Sequence, residues 1–137
     1  MIDSAREFIR LRNSEIIEEY TRAAHEEASL QTWKEVIELY PDYKTWVIHN
    51  KTVPLEILEE LASDPNSDVR SKVARKRKIS PFIIEILAND PDEEVRYALA
   101  CNTKISLINI KLINRADSDW LKQSIGEIIT RKENKLT

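Results

Sequence analysis

The stretch Asp64-Pro65-Asn66-Ser67-Asp68-Val69-Arg70 recurs 26 residues later as Asp90-Pro91-Asp92-Glu93-Glu94-Val95-Arg96. The same offset aligns Val73-Ala74 with Val47-Ile48 before it and with Leu99-Ala100 after it. Self-similarity at a short fixed period is typical of stacked arrays, because each unit can bury its apolar face only against its neighbours. The pattern therefore predicts a repeat array over residues 42–115 with a period of 26.

The segments on either side of the array match the repeat weakly or not at all. Residues 1–41 carry apolar residues at helical spacing, which predicts an N-terminal helical cap. Within this cap, Thr32 followed by Glu35 matches a capping box that would open a short helix. Residues 116–130 are predicted to be a degraded terminal repeat, and the polar segment 131–137 is predicted to be a frayed tail. The length of 137 residues suits one domain.

The composition favours an all-α fold and excludes several classes of protein. A single glycine disfavours β architectures with tight turns, which need residues that accept positive φ. The single cysteine excludes an intrachain disulfide. No apolar run reaches membrane-spanning length, and residues 1–20 lack the apolar core of a signal peptide. We therefore expect a cytoplasmic protein with no membrane partner.

Each unit of the array is predicted to contain two short helices joined by a polar turn. The first helices are predicted at 68–76 and 93–101, and the second helices at 54–62, 81–88 and 107–114. Apolar residues that recur in register at the inner positions of these helices predict the core. They are Val69, Val73, Ile84, Leu87, Val95, Leu99, Ile110 and Ile113.

The spacing of aspartate, valine and arginine in the repeat resembles the HEAT-repeat superfamily, although the period is shorter than in a HEAT repeat. Residues 47–58 are also similar, with one residue inserted, to the unit of the leucine-rich-repeat-variant group. The resemblance covers roughly residues 38–125 and implies a right-handed α-solenoid of short two-helix HEAT-like repeats. The iron–sulfur cluster of that group's founding member is not expected, because this chain lacks the cysteines that would hold it.

The recurring acids and arginines are interpreted as structural rather than catalytic. A turn acid such as Asp64 or Asp90 can accept hydrogen bonds from backbone N–H groups and from Arg70 or Arg96, in its own or the adjoining unit. Stacked units would then form a charge-assisted ladder. The copy at residues 116–122 is interpreted as having lost the acid.

No catalytic residue, metal site or cofactor is predicted. His25 and His49 do not lie at metal-ligand spacing from another good ligand. The chain has no glycine-rich phosphate loop, and Cys101 has no histidine next to it in sequence. These observations favour a binding protein over an enzyme.

The turns between the two helices of each unit form a column that keeps its place in the repeat but varies in chemistry. In that column, Asn50 and Asn102 are also suitable helix C-caps, Arg75–Lys78 could be a solvated face, and the aromatics near Trp46 could be core. Because packing constrains the core but not this edge, the edge is predicted to bind a partner. The predicted partner-binding residues are Tyr43, Trp46, His49, Asn50, Lys51, Lys72, Arg75, Lys76, Arg77, Lys78, Cys101, Asn102 and Lys104.

The charge distribution favours a partner protein with an acidic surface. Residues 64–89 hold six basic and three acidic residues, whereas residues 1–41 hold five basic and nine acidic residues. Small standalone solenoids similar to this one include bacterial immunity proteins, which inhibit a cognate toxin by covering it. The alternative is a nucleic-acid backbone binder resembling the DNA-alkylation-repeat glycosylases, although no matching active-site motif is present.

Overall fold

The computed structural model describes residues 1–136 and is all-α. Within those residues it has ten α-helices and a short 3-10 helix at Pro41–Tyr43. The helices are α1 Ala5–Asn13, α2 Ile17–His25, α3 Leu30–Leu39, α4 Lys44–His49, α5 Leu55–Leu61, α6 Ser67–Ala74, α7 Pro81–Ala88, α8 Glu93–Ala100, α9 Leu107–Lys111 and α10 Asp119–Lys135. They group into two compact units, which we call unit 1 (Met1–Leu61) and unit 2 (from Ala62 onward). In the described residues, no helix is long and apolar enough to cross a membrane.

Unit 1 is built on α1 and α3. Helix α1 packs against α2 and α3, and α3 also packs against α4 and α5. The centre of this core is formed by Phe8 and Trp33, whose rings meet edge to face with 5.2 Å between their centroids. Both side chains are fully buried, so they anchor α1 and α3 to each other.

The capping box predicted at Thr32 is wrong. Helix α3 begins at Leu30, and its N-cap is Ser29, whose hydroxyl accepts the Thr32 N–H at 3.1 Å. Thr32 therefore lies inside the first turn, where it is buried and its hydroxyl contacts that of Ser29. Serine at this place is the stronger N-cap, so it fixes the helix start three residues earlier than predicted.

Unit 2 contains two successive helix pairs followed by a long helix. Helix α8 packs against α6, α7 and α10, and α10 also packs against α9. Seven of the eight predicted core residues are buried. The exception is Ile84, which is only half-buried, while its neighbour Ile83 is fully buried in its place.

The interpretation of the acids and arginines as a ladder is confirmed in unit 2. Arg70 donates to both carboxylate oxygens of Asp90 in the next copy, at 2.7 and 3.1 Å, and also to the Asp64 carbonyl at 2.7 Å. Arg96 makes the corresponding bidentate pair with Asp117, at 2.8 and 3.1 Å. The last copy has therefore kept its acid, one residue later than a strict period of 26 would place it.

The C-terminal segment differs from both predictions made for it. Residues 119–135 form a single helix, α10, with no break after residue 122 and no second helix. The tail predicted as frayed is helical as far as Lys135, where Lys132 and Lys135 in the last turn favourably face the negative end of the helix dipole. Glu133 also pairs with Lys111 of α9 at 2.8 Å. The part of that prediction that concerns Thr137 lies outside the described residues.

Candidate partner-binding surface

The basic residues after α6 lie on the surface of unit 2. Arg75 is the C-cap of α6, and Ser80 is the N-cap of α7, so the intervening loop is held at both ends by helix termini. The side chains of Lys72, Arg75, Arg77 and Lys78 are exposed, and none of them forms an ion pair with a residue in the range 1–136. Lys76 differs, because it is half-buried and takes part in further interactions, among them the hydrogen bond that its carbonyl accepts from the Asn102 amide. We call residues 75–78 the basic loop.

Two residues predicted to face a partner are instead buried. The Asn102 amide donates to the carbonyl oxygens of Ala74 and Lys76, at 2.9 and 2.7 Å, and its side-chain oxygen accepts the Lys104 N–H at 3.0 Å. Asn102 therefore caps the C-terminal end of α6, which lies two helices before it in the chain. Its side chain has no access to a partner, which corrects the prediction at this position.

Asn50 makes the same arrangement in unit 1. Its amide donates to the carbonyl oxygens of Ala23 and Glu26, at 2.8 and 3.0 Å, at the end of α2. Its side-chain oxygen accepts from the Thr52 N–H and hydroxyl, at 2.8 and 2.7 Å. Asn50 is fully buried, so it too is a structural residue and not a contact for a partner.

A groove in unit 2 adds residues that the sequence reasoning missed. It lies between the end of α8 and α10 and has a volume of 360 Å³. We call it the C-terminal groove, and its polar lining residues are Tyr97, Cys101, Thr103, Arg131, Lys132 and Lys135. Three of its basic residues come from the segment predicted to be a frayed tail. The apolar spacing of Leu121, Ile125 and Ile128 predicts a helix only as far as Ile128, so no apolar signal marks these three basic residues.

Tyr97 lies in the wall of the C-terminal groove. The pKa of its phenol is raised, chiefly by a hydrogen bond with Cys101, while the positive charges of Arg131 and Arg75 act in the opposite direction. Trp120 packs against the Tyr97 ring at a tilted angle, with 5.1 Å between centroids, and remains 46% exposed. The predicted residue Cys101 is half-buried at the floor of this groove.

The remaining residues predicted to bind a partner are placed as follows. Lys104 in unit 2 and His49 and Lys51 in unit 1 are exposed. Trp46 is 37% exposed and meets His49 edge to face, with 5.7 Å between the rings. Tyr43 is half-buried, and its hydroxyl accepts a hydrogen bond from Asn13 at 2.7 Å. Trp46 is thus partly exposed, and both aromatic residues make contacts within their own unit.

The two units differ strongly in charge. Unit 1 carries 13 acidic and 7 basic residues, a net charge of −6. Unit 2 carries 11 acidic and 14 basic residues, a net charge of +3. The chain's net charge of −3 therefore conceals a basic unit, and an anionic ligand would be attracted to unit 2.

The arrangement in unit 2 suits non-covalent binding of an anionic surface. Its guanidinium and ammonium groups can donate hydrogen bonds to carboxylates or phosphates, and Tyr97 with Trp120 offers aromatic contact area. Within residues 1–136, no three His, Cys, Asp or Glu side chains are grouped so that they could hold a metal ion. Comparisons of the chain with known protein families, with curated proteins and with solved structures find no match.

Proposed function

We propose that this protein is a non-catalytic binding protein whose basic loop and C-terminal groove bind an acidic surface of another protein. A right-handed α-solenoid of HEAT-like repeats provides the scaffold in this proposal. Covering an acidic site on a partner would make it an inhibitor of the immunity type. The cytoplasm is the compartment we expect for it.

The solenoid arrangement is supported by hydrogen bonds that recur about one period apart. Asn102 bonds to the Lys76 carbonyl, 26 residues earlier, and the Asn114 N–H bonds to the Ala88 carbonyl at 2.9 Å, also 26 residues earlier. Asn50 bonds to the end of α2 as Asn102 bonds to the end of α6. This equivalence extends the proposed array upstream, so that α2 and α3 take the place of one further repeat.

The observation that carries the functional proposal is the contrast between two sets of cations in unit 2. Arg70 and Arg96 are buried or nearly so and are paired with carboxylates, as structural arginines are. Arg75, Arg77 and Lys78 are exposed and form no ion pair within residues 1–136. Like charges gathered without counter-charges repel one another, and a complementary acidic surface would relieve that repulsion and speed association.

Nucleic-acid backbone binding is the second candidate, and the C-terminal groove is the observation that favours it. Arg131, Lys132 and Lys135 extend the basic surface beyond one repeat, as a contact with several phosphates requires. Tyr97 and Trp120 could stack with bases exposed in a single strand. The acidic-protein proposal takes precedence because the exposed cations of the basic loop come from a single turn and would reach few phosphates.

One set of variants separates the two candidates. Arg75, Arg77 and Lys78 are replaced together by Ser, while Lys76 is kept because its carbonyl is bonded to Asn102. The matched control replaces Arg6, Lys34 and Lys122 by Ser, which removes the same charge from exposed positions elsewhere. Each protein is used to capture partners from the source cells, and each is titrated with a random-sequence DNA duplex and with a single strand.

We expect the parent and the control to retain an acidic protein that the basic-loop variant loses, with no measurable binding of either DNA by the parent. Salt-sensitive DNA binding at micromolar concentration by the parent, lost in the basic-loop variant, would instead establish the nucleic-acid candidate. Capture of the same proteins by all three forms would show that the basic loop is not the interface.

A further inference from the structure

Unit 1 contains a pocket whose chemistry differs from that of the basic surface in unit 2. Its volume is 280 Å³, which is at the small end of ligand pockets. Helices α1, α2 and α4 supply its walls. The lining residues are Arg12, Tyr20, Thr21, Ala23, Ala24, His25, Trp46 and His49.

Arg12 is the charged group at the centre of the argument. Its guanidinium carbon lies 3.4 Å from the centroid of the Trp46 ring, so the planar group is stacked on the indole. It makes no hydrogen bond or ion pair with any residue in the range 1–136, and its Nε is buried without an acceptor. Arg22 in α2 shows the contrast, because it is paired with Glu26 at 2.7 Å.

Stacking on Trp46 determines which side of the guanidinium is available. One face of the plane is covered by the indole, while the N–H donors lie in the plane and point away from its edge. An edge with parallel N–H donors matches the two oxygens of a carboxylate. Unit 1 is acidic overall, yet none of the residues that line the pocket is acidic, so a bound anion would meet no like charge in the lining.

The rest of the lining determines which chemical group, attached to the anion, would fit the pocket. Ala23 is buried and Ala24 is half-buried, and the rings of Tyr20 and Trp46 are partly exposed at the wall. These surfaces suit a small apolar group attached directly to the anion. His25 adds imidazole nitrogens to the lining, which can bond to a carbonyl or amide next to the carboxylate.

We propose that this pocket binds a carboxylate attached to a small apolar group, with Arg12 as the residue that recognises the carboxylate and Trp46 as the surface that holds Arg12 in place. The carboxylate could belong to a free small acid or to the C-terminal end of a protein chain. Both present the same two oxygens to the guanidinium, and the experiment below distinguishes them.

The test uses the full chain and two probes that differ only in charge, N-acetylalanine and N-acetylalaninamide. Binding is followed by NMR at the Arg12 Nε–H and at the Trp46 indole N–H, with the buried Trp33 indole as an internal reference. We expect the acid to shift the Arg12 and Trp46 signals and to bind at least about tenfold more tightly than the amide, because only the acid offers a charge-assisted pair. Arg12→Gln should abolish this preference, while Arg6→Gln, an exposed arginine of the same helix, should leave it unchanged.

Two results would overturn the proposal: equal affinity for the acid and the amide, or shifts confined to signals of unit 2. Both are read on the parent protein, so they do not depend on whether the Arg12 variant folds. A tetrapeptide that ends in alanine, with a free or an amidated C-terminus, identifies the source. Tighter binding of the free tetrapeptide than of N-acetylalanine supports a protein terminus as the ligand, and equal binding of the two supports a small acid.

Discussion

At the scale of single residues, Asn50 and Asn102 explain how the end of one helix is joined to the end of the second helix before it. The last carbonyl groups of a helix have no partner within it, and burial without a partner costs free energy. Asn102 bonds to the last carbonyl of α6 and to the Lys76 carbonyl just beyond it, and Asn50 bonds to the Ala23 carbonyl in α2 and to that of Glu26, its C-cap. Each side-chain oxygen also fixes the turn that follows, so one residue holds both the end of an earlier helix and its own loop.

Replacing Asn102 by Ala should therefore destabilise the protein. The change leaves the Ala74 carbonyl without its partner in the interior, along with the Lys76 carbonyl and the Lys104 N–H at its edge. We expect a loss of about 1–3 kcal/mol in the free energy of unfolding, measured by urea denaturation. The control is Asn89→Ala, which removes a single exposed bond to Glu85 and should cost less than about 1 kcal/mol. Equal losses in the two variants would contradict this role for Asn102.

Glu26 gives a prediction about pH. Arg22 bonds to its carboxylate at 2.7 Å and, as the largest cause, lowers the pKa of Glu26 to about 2. Because the folded state binds this proton less readily than the unfolded state, the stabilisation is present above the ordinary pKa near 4.5 and is lost as pH falls toward 2. Glu26→Gln should thus be less stable than the parent at pH 7, and the difference should disappear over that range in thermal unfolding.

The neighbouring exposed residue supplies the control for this prediction. Glu27→Gln removes a carboxylate of the same kind one position further on, where the structure shows no ion pair with residues 1–136. It should change stability little at pH 7 and should not alter the pH dependence. A Glu26 variant whose deficit stays constant down to pH 2 would show that the pair with Arg22 does not contribute the stability.

Several residue-scale features could be predicted from the sequence, and others could not. The pair of Arg70 with Asp90 follows from the repeat itself, because both members recur at fixed positions. Asp117 was missed because the turn before α10 shifts the acid by one residue, which alignment at a rigid offset cannot accommodate. Asn50 and Asn102 were assigned to a binding edge because their neighbours vary. Their own recurrence two periods apart was the signal of a structural role.

At the scale of elements, α7 shows why the apolar pattern defined the helix but not its inner face. The helix Pro81–Ala88 has the predicted bounds, because serine and proline mark its start. Its apolar positions include Phe82, Ile83, Ile84, Ile86 and Leu87, so nearly every face is apolar in sequence. Ile83 and Ile84 both lie on the same side as Leu87, at spacings of four and three, and only tertiary packing chooses between them.

Two matched variants, each of which truncates one isoleucine to alanine, test that choice. Ile83→Ala removes a fully buried side chain and should lower the free energy of unfolding by about 2–5 kcal/mol. Ile84→Ala removes a half-buried side chain and should cost clearly less, since less surface is buried and solvent can occupy part of the space. Both variants have the same residue types in the same short helix, so helix propensity cancels. A larger loss for Ile84→Ala in chemical denaturation would restore the register expected from the repeat.

Helix α10 shows the opposite case, because the polar composition of its C-terminal end predicted fraying where the structure is helical. Its last five residues are all polar or charged, and a polar chain end is commonly frayed. The structure instead continues the helix, with Glu133 paired to Lys111 and with Lys132 half-buried at the C-terminal groove. The stems of long basic side chains can cover apolar surface while their charges stay in water, which a hydropathy pattern does not register.

At the scale of the whole molecule, charge is separated along the chain rather than mixed. Unit 1 has a net charge of −6 and unit 2 a net charge of +3, although the average is only −3. Because the Debye length is about 10 Å at 0.1 M ionic strength, a polyanion that approaches unit 2 experiences mainly the charges near it. We therefore expect the charge of unit 2, rather than the net charge of the chain, to govern behaviour toward a polyanion.

This separation leads to a prediction for the intact protein on immobilised heparin at pH 7.5. A chain with a sequence pI near 5.5 would ordinarily pass through, yet we expect retention at low salt and elution as salt is raised. The variant with Arg75, Arg77 and Lys78 changed to Ser should elute at lower salt, because it loses exposed cations that form no ion pair with residues 1–136. The control with Arg6, Lys34 and Lys122 changed to Ser has the same net charge as this variant. A difference between the two in the salt concentration at elution therefore reflects the positions of the removed charges. Passage of the parent through the column at low salt would mean that the field of unit 1 dominates, and the basic loop would then be a solvated face.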